Sequence, residues 1–190
     1  MPDPILLSIA KSTIVHKLDA SYMFDEKKVL KEHPFLKEDG AVFVTLKYDK
    51  DLRGCIGSII AHRTLYEDVV QNAISAAFND PRFRPLSIDE LSHIDLEVSV
   101  LSKPEILEYE DFDDLCKKVI PRKDGLILKH GAYQGTFLPQ VWEQLSSPRE
   151  FLAHLSMKAG ADPSIYEQKP SIYRYRVDAL EDLFKNIALL

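Results

Sequence analysis

The densest chemistry in the chain lies in LRGCIG, Leu52 to Gly57. Cys55 is one of only two cysteines, it stands between Gly54 and Gly57, and Arg53 lies two residues ahead. A thiol attacks as its thiolate, which a neighbouring guanidinium favours. The same guanidinium can grip a carboxylate or phosphate. Glycines within a strand mark a bulge or a close approach of backbone or ligand, and here they are expected to leave open space beside the thiol. In a regular strand, Arg53, Cys55 and Gly57 share one face. The competing reading is a small buried residue, because free cysteine is among the most buried residue types.

A cysteine nucleophile needs a base within hydrogen-bond reach. His62 is the nearest histidine in sequence, and an extended strand would hold it roughly 23 Å away. The other histidines are scattered. His130, in an expected turn, is the best placed of them and fits a solvated loop residue equally well. Glu97 lies on the polar side of the clearest strand, IDLEVSVL. If that strand pairs near LRGCIG, Glu97 meets Arg53 or lies beside Cys55; otherwise it is a solvent-facing carboxylate on a one-sided sheet. In NDPRF, Asp80 can hold Arg82 by a bidentate pair, or Asp-Pro merely starts a turn. GxGxxG, phosphate-loop, GxSxG, HExxH and CxxC patterns are absent, and no two histidines lie within one helical turn. No metal site is expected on this basis.

The elements that must position these residues follow from periodicity. AVFVTLKY (Ala41 to Tyr48) alternates as a strand. A short turn over Asp49 to Asp51 returns it as a second strand, Leu52 to Ile60, completing a hairpin. Thr64-Leu65-Tyr66-Glu67 is a capping box opening a helix to about Phe78, and Ser87 to Glu90 repeats the pattern on a short helix. Pro4 to Leu18 reads as an amphipathic helix. Further on come a helix around Phe112, Leu115 and Val119, a hairpin around His130-Gly131-Ala132, a helix capped by Ser147 and stopped at Gly160, a strand over Ile172 to Val177, and a closing helix. Strands and helices mix without a regular βαβ rhythm. The expected class is therefore α+β, a mainly antiparallel sheet flanked by helices.

A chain of 190 residues, 45% of them hydrophobic, can bury one substantial core as a single domain. Its net charge of -6 argues against general nucleic-acid binding, which rests on basic surface. The N-terminal MPDPILLSIA has no basic segment before a short apolar run, unlike a signal peptide, and no stretch is long and apolar enough to span a bilayer. Two cysteines make no disulfide framework. The expected location is cytoplasmic, with reduced thiols.

Six ordered blocks now stand out: LRGCIGSI, NDPRFRPL, LEVSVLSKPE, DGLIL, GTFLPQVWE and FLAHLSMKAG. Together they resemble the AMMECR domain family, and most closely its prokaryotic members called AmmeMemoRadiSam system protein A. The resemblance spans nearly the whole chain. It implies an α+β domain over residues 1–190 with a larger lobe holding both termini, a smaller lobe, and a cleft between them. It also implies association with a Memo-like protein and a radical-SAM protein, and so a place in a shared modification pathway. No reaction or cofactor comes with the family. Its motifs fall on Arg53, Gly54, Cys55, Gly57, Asp80, Arg82, Glu97 and Gln140. On this reading Cys55 and Glu97 are the candidate catalytic residues. Arg53, Gly54, Gly57, Asp80, Arg82 and Gln140 are the candidate substrate-binding residues, with a small anionic ligand expected. The alternative is a non-catalytic adaptor for the two partner proteins. The tryptophan expected after Gly160 is replaced by Ala161-Asp162-Pro163-Ser164.

Overall fold

A computed structural model describes residues 2–190. In chain order its strands are β1 (Ala41–Tyr48), β2 (Asp51–Gly57), β3 (Ile94–Leu101), β4 (Glu105–Ile106), β5 (Gly125–His130), β6 (Tyr133–Phe137), β7 (Ser171–Tyr175) and β8 (Val177–Leu183). The α-helices are α1 (Ile5–Leu18), α2 (Glu26–Glu32), α3 (Leu65–Ile74), α4 (Phe112–Lys118) and α5 (Pro148–Lys158). This is the α+β class the sequence predicts. The chain forms two compact units: one runs to Leu101 and resumes over Asp178–Leu190, the other is Ser102–Val177.

In the first unit the alternation of β1 drives Val42, Val44 and Leu46 into the core and leaves Phe43, Thr45 and Lys47 on the opposite face. Asp49 and Lys50 both take positive φ, 48° and 78°. That two-residue turn has the twist that suits a hairpin, and it brings β2 back antiparallel to β1. The sheet runs β2-β1-β3-β8, with β2 at one edge. Helix α3 opens on the predicted capping box: Thr64 Oγ1 accepts from the Glu67 amide while Glu67 accepts from the Thr64 amide. It gives way to a π-helical turn, Ser75–Asn79, so the α-helix ends earlier than predicted.

Three expectations about this unit are corrected. Helix α1 is not amphipathic but is buried around most of its circumference. Leu6, Leu7, Ile9, Ala10 and Ile14 are buried together with Lys11, Ser12 and Thr13. The chain's last residues cover its polar side: Lys11 Nζ donates to the Ile187 carbonyl at 2.6 Å, and the Leu190 amide donates to Ser12 Oγ at 3.0 Å. The tail closes as strand β8, not as a helix. Val177, Leu180 and Leu183 are spaced by three, which imitates a helical stripe. Strand β2 stops at Gly57 and does not reach Ile60: a last backbone bond runs from the Ser58 amide to the Val42 carbonyl at 2.9 Å, and the Ser58 hydroxyl donates to the fully buried Asp68 of α3 at 2.7 Å.

The second unit carries its own antiparallel sheet, β4-β7-β5-β6. The predicted hairpin turns at Gly131, whose φ of 56° suits glycine. Helix α5 is capped by Ser147, which accepts from the Glu150 amide. The core is built on Trp142, stacked on Phe151 with centroids 3.8 Å apart and donating its indole N–H to the Asp124 carbonyl at 2.8 Å.

A thiol row and an arginine clasp on the edge strand

Strand β2 is not regular. Leu46 faces Gly54 while Lys47 faces Leu52, which leaves Arg53 as the extra residue of a β-bulge. The bulge breaks the expected alternation that put Arg53 on the Cys55 face. Arg53 is buried and gives Nε and Nη2 to Glu90 at 2.8 and 3.1 Å. Glu90 also closes the predicted capping box by accepting from the Ser87 amide at 3.0 Å. Arg53 beside it, with the Ser87 amide and hydroxyl, pulls the Glu90 carboxyl down to about 2 against the effect of burial.

The two glycines do not open space beside the thiol. A Cβ on Gly54 would lie 2.1 Å from the Ala76 carbonyl oxygen of the π-turn. A Cβ on Gly57 would lie 2.3 Å from the ring of Phe43, its partner across the hairpin. Both glycines are there for close packing of protein on protein, the backbone of the π-turn at one and an aromatic ring at the other.

What lies against Cys55 instead is the NDPRF loop. Asp80 is buried, accepts from the Cys55 amide through Oδ2 at 3.0 Å, and binds Arg82 bidentately, Nε to Oδ1 at 2.9 Å and Nη2 to Oδ2 at 2.7 Å. Arg82 Nη2 in turn donates to the Cys55 carbonyl at 3.2 Å. The pair therefore satisfies both outward-pointing backbone groups of Cys55 and acts as a short surrogate strand on an exposed sheet edge. The guanidinium holds the Asp80 carboxyl far below the usual carboxylate range.

The thiol itself is half-buried. Its side-chain hydrogen bond comes from Thr45 Oγ1, 3.3 Å away. Burial pushes the Cys55 thiol up, outweighing the Thr45 hydroxyl and the Arg82 charge, which pull it down. His62 is exposed and lies against its own chain at the Ile60 carbonyl. Replacing Thr45 with Val should push the thiol higher still and slow its alkylation at pH 8; an unchanged rate would mean the hydroxyl does not act on the sulfur.

Glu97 does not meet Arg53, because β3 pairs with β1 and not with β2. Cys55 faces Thr45, and Thr45 faces Glu97, so the three form one row across three strands. With strands about 4.8 Å apart, Cys55 and Glu97 stand about 10 Å from each other along that row. Glu97 accepts from Lys47 Nζ at 2.9 Å and from Ser99 Oγ at 2.8 Å. Lys47 also reaches Glu181 at 2.8 Å. Burial pulls the Lys47 ammonium down, but Glu181 and Glu97 more than offset it and leave it raised.

Gln140 belongs to the other unit, exposed on the turn Pro139–Glu143. Residues missed in the sequence are Thr45, Lys47 and Glu90. The first two occupy alternate positions of β1 and become visible only once the strand order is known. Glu90 was read as a helix cap alone. Among the described residues, no group of three or more His, Cys, Asp or Glu side chains is placed to hold a metal ion, and no helix is long and apolar enough to cross a membrane.

The fold and this site define an α+β chain of two units, with LRGCIG on an edge strand clasped by an Asp-Pro-Arg loop. The chain belongs to the AMMECR1 family, which it matches over residues 7–180. It is 36% identical to Protein MJ0810 of Methanocaldococcus jannaschii over 168 residues, 86% of this chain and 84% of that one. It is 39% identical to Protein MK0488 of Methanopyrus kandleri over 166 residues, 83% of this chain and 77% of that one. Among solved structures it is similar to the crystal structure of uncharacterized protein PH0010 from Pyrococcus horikoshii. The TM-score is 0.77 and the identity 31%, over 94% of this chain and 90% of the other.

Proposed function

We propose that the chain binds a small substrate on the polar face of β2-β1-β3, over the row Cys55, Thr45 and Glu97, and serves a modification pathway with a Memo-like and a radical-SAM protein. The observation that carries this reading is the row itself. Three adjacent strands place a thiol, a hydroxyl and a carboxylate in register, with the Lys47 ammonium beside the carboxylate. Such a set can hold a ligand by hydrogen bonds at one end and present a sulfur at the other. Asp80 and Arg82 are then positioning residues: they fix the Cys55 backbone and so aim its side chain. Gln140, in the second unit, plays no part in this reading.

The resting thiol favours binding over nucleophilic attack, because its hydrogen-bond partner is a hydroxyl and not a base. In a catalytic version of the same reading, Glu97 takes the proton only through a substrate or water spanning the row. The test is an amide-resolved NMR screen of small thioesters, amines and carboxylic acids against the full chain. The reading expects hits that move the Thr45, Cys55 and Glu97 amides together and are lost in Glu97→Gln. Hits that leave all three unmoved, or survive Glu97→Gln unchanged, would overturn it.

The same missing base supports a second reading, an adaptor without chemistry of its own. Co-purification with the two partner proteins, insensitive to Cys55→Ser and Glu97→Gln, would favour the adaptor. Turnover of a substrate by the isolated chain would end it.

A further inference from the structure

A groove of about 730 Å³ opens beside the β1–β2 turn, lined by Tyr48, Leu52, Arg53, Phe83 and Arg84 together with Arg82. It is not the row described above. Tyr48 follows the alternation of Val42, Val44 and Leu46 and packs against the core cluster, whereas Leu52 faces Lys47 on the Thr45 side, so the groove lies at the end of the hairpin and its lining includes none of Cys55, Thr45 and Glu97.

Two guanidinium groups converge here, and Arg84 lines the groove beside them. Arg53 and Arg82 lie over the Phe83 ring at 5.8 and 5.4 Å. Each is fixed by a carboxylate that takes its Nε and Nη2, Glu90 for one and Asp80 for the other. Nη1 of each has no partner among the described residues, so two oriented donor groups remain to be used. Arg84 is exposed and has no ion-pair partner among the described residues.

The charge balance selects the ligand. Glu90 and Asp80 neutralise two of the arginines and Asp51 on the wall offsets the third, so the groove carries no net charge and can take an anion only through directed guanidinium hydrogen bonds. That balance fits a single carboxylate better than a phosphate or polyphosphate. A guanidinium fork matches a carboxylate by two parallel hydrogen bonds. The remaining wall is flat or apolar: Phe83, Tyr48 and the exposed Leu52. The volume lies within the range usual for small-molecule sites.

We propose that this groove is a second ligand site, for a small monocarboxylate carrying a flat apolar body. The carboxylate is held by the fork of Arg84 and by single donors, Nη1, of Arg53 and Arg82, and the body lies against Phe83 and Leu52. The site shares Arg82 with the clasp on the Cys55 backbone but uses no side chain of the Cys55–Thr45–Glu97 row.

Titration of the full chain with phenylacetate, inorganic phosphate and a tripeptide ending in phenylalanine, followed by amide NMR, tests it. Phenylacetate should shift Leu52, Phe83 and Arg84 and bind at least about tenfold tighter than phosphate. Arg84→Gln, which breaks no hydrogen bond or ion pair among the described residues, should weaken phenylacetate about tenfold, and Glu97→Gln should leave it unchanged. Phosphate binding as tightly as phenylacetate, an unaffected Arg84→Gln, or no shift in the groove would overturn the proposal. Tripeptide binding tenfold tighter than phenylacetate would overturn its assignment to a small molecule. Loss of binding in Glu97→Gln would contradict a site that uses no side chain of the row.

Discussion

Gly54→Ala should destabilise the first unit by at least about 3 kcal/mol, or prevent its folding. The added methyl would stand 2.1 Å from the Ala76 carbonyl oxygen and 3.1 Å from its carbon, both backbone atoms that no rotamer change can move. Relief would require the π-turn to retreat from β2, which would also carry Asp80 away from the Cys55 amide. Gly131→Ala, in the second unit, is the contrasting case. Nothing lies within 4 Å of its added Cβ, so only the positive φ of 56° opposes it, at a cost of about 1 kcal/mol. Trp142 belongs to the other unit, so amide exchange at Val44 and Leu46 reads the sheet concerned. Exchange at those amides in Gly54→Ala as slow as in wild type would show that the close approach is not a constraint on the fold.

Asp80→Ala is expected to cost about 3 kcal/mol at pH 7. The variant strips the acceptor from the Cys55 amide, the Arg82 amide and the Arg82 side chain at once. The two partners respond unequally. Arg82 is half exposed and falls back into water, whereas the Cys55 amide loses a buried acceptor. The effect depends on pH, with a definite sign. Asp80 and Glu90 both have carboxyls lowered in the folded state, by Arg82 and Arg53 respectively, Glu90 to about 2. Their stabilisation is complete above the unfolded carboxylate values of about 4 and is lost as pH falls toward the folded ones. Wild type should therefore lose stability between about pH 4 and pH 2. Asp80→Ala should lose less over that range, and the gap between the two should narrow with acid. A gap that is constant with pH, or under about 0.5 kcal/mol at pH 7, would mean the clasp is not an ionic one.

Local chemistry was legible where the partners are close in sequence. The Thr64–Glu67 and Ser87–Glu90 capping boxes, the Asp49–Lys50 turn and the bidentate Asp80–Arg82 pair all lie within four residues. What could not be read was register. Whether Arg53 shares a face with Cys55 depends on one extra residue opposite β1, and nothing in LRGCIG alone states that β1 offers one residue fewer. Glu97 was singled out for its place on a polar strand face. Its neighbours in space, Lys47 and Thr45, depend on β1 being the central strand, a property of the whole sheet. The glycines were correctly marked as points of close approach, but what approaches is the Ala76 backbone and the Phe43 ring, both distant in sequence from at least one of them. The tail forms strand β8 although Val177, Leu180 and Leu183 are spaced by three, a spacing that a helix shares with a strand whose other positions are exposed.

The most direct test of the account concerns the state of Cys55, which decides between a resting thiol that belongs to a binding face and an activated nucleophile. The measurement is the alkylation rate of Cys55 in the folded chain as a function of pH, read by peptide mass spectrometry against the same residue in denatured protein. Burial raises this thiol, and the described structure offers it a hydroxyl but no base. The account therefore predicts a midpoint above the free-thiol value of about 8.5, with slow reaction at pH 7. A fast reaction with a midpoint below about 7.5 would contradict it and restore Cys55 as an activated nucleophile.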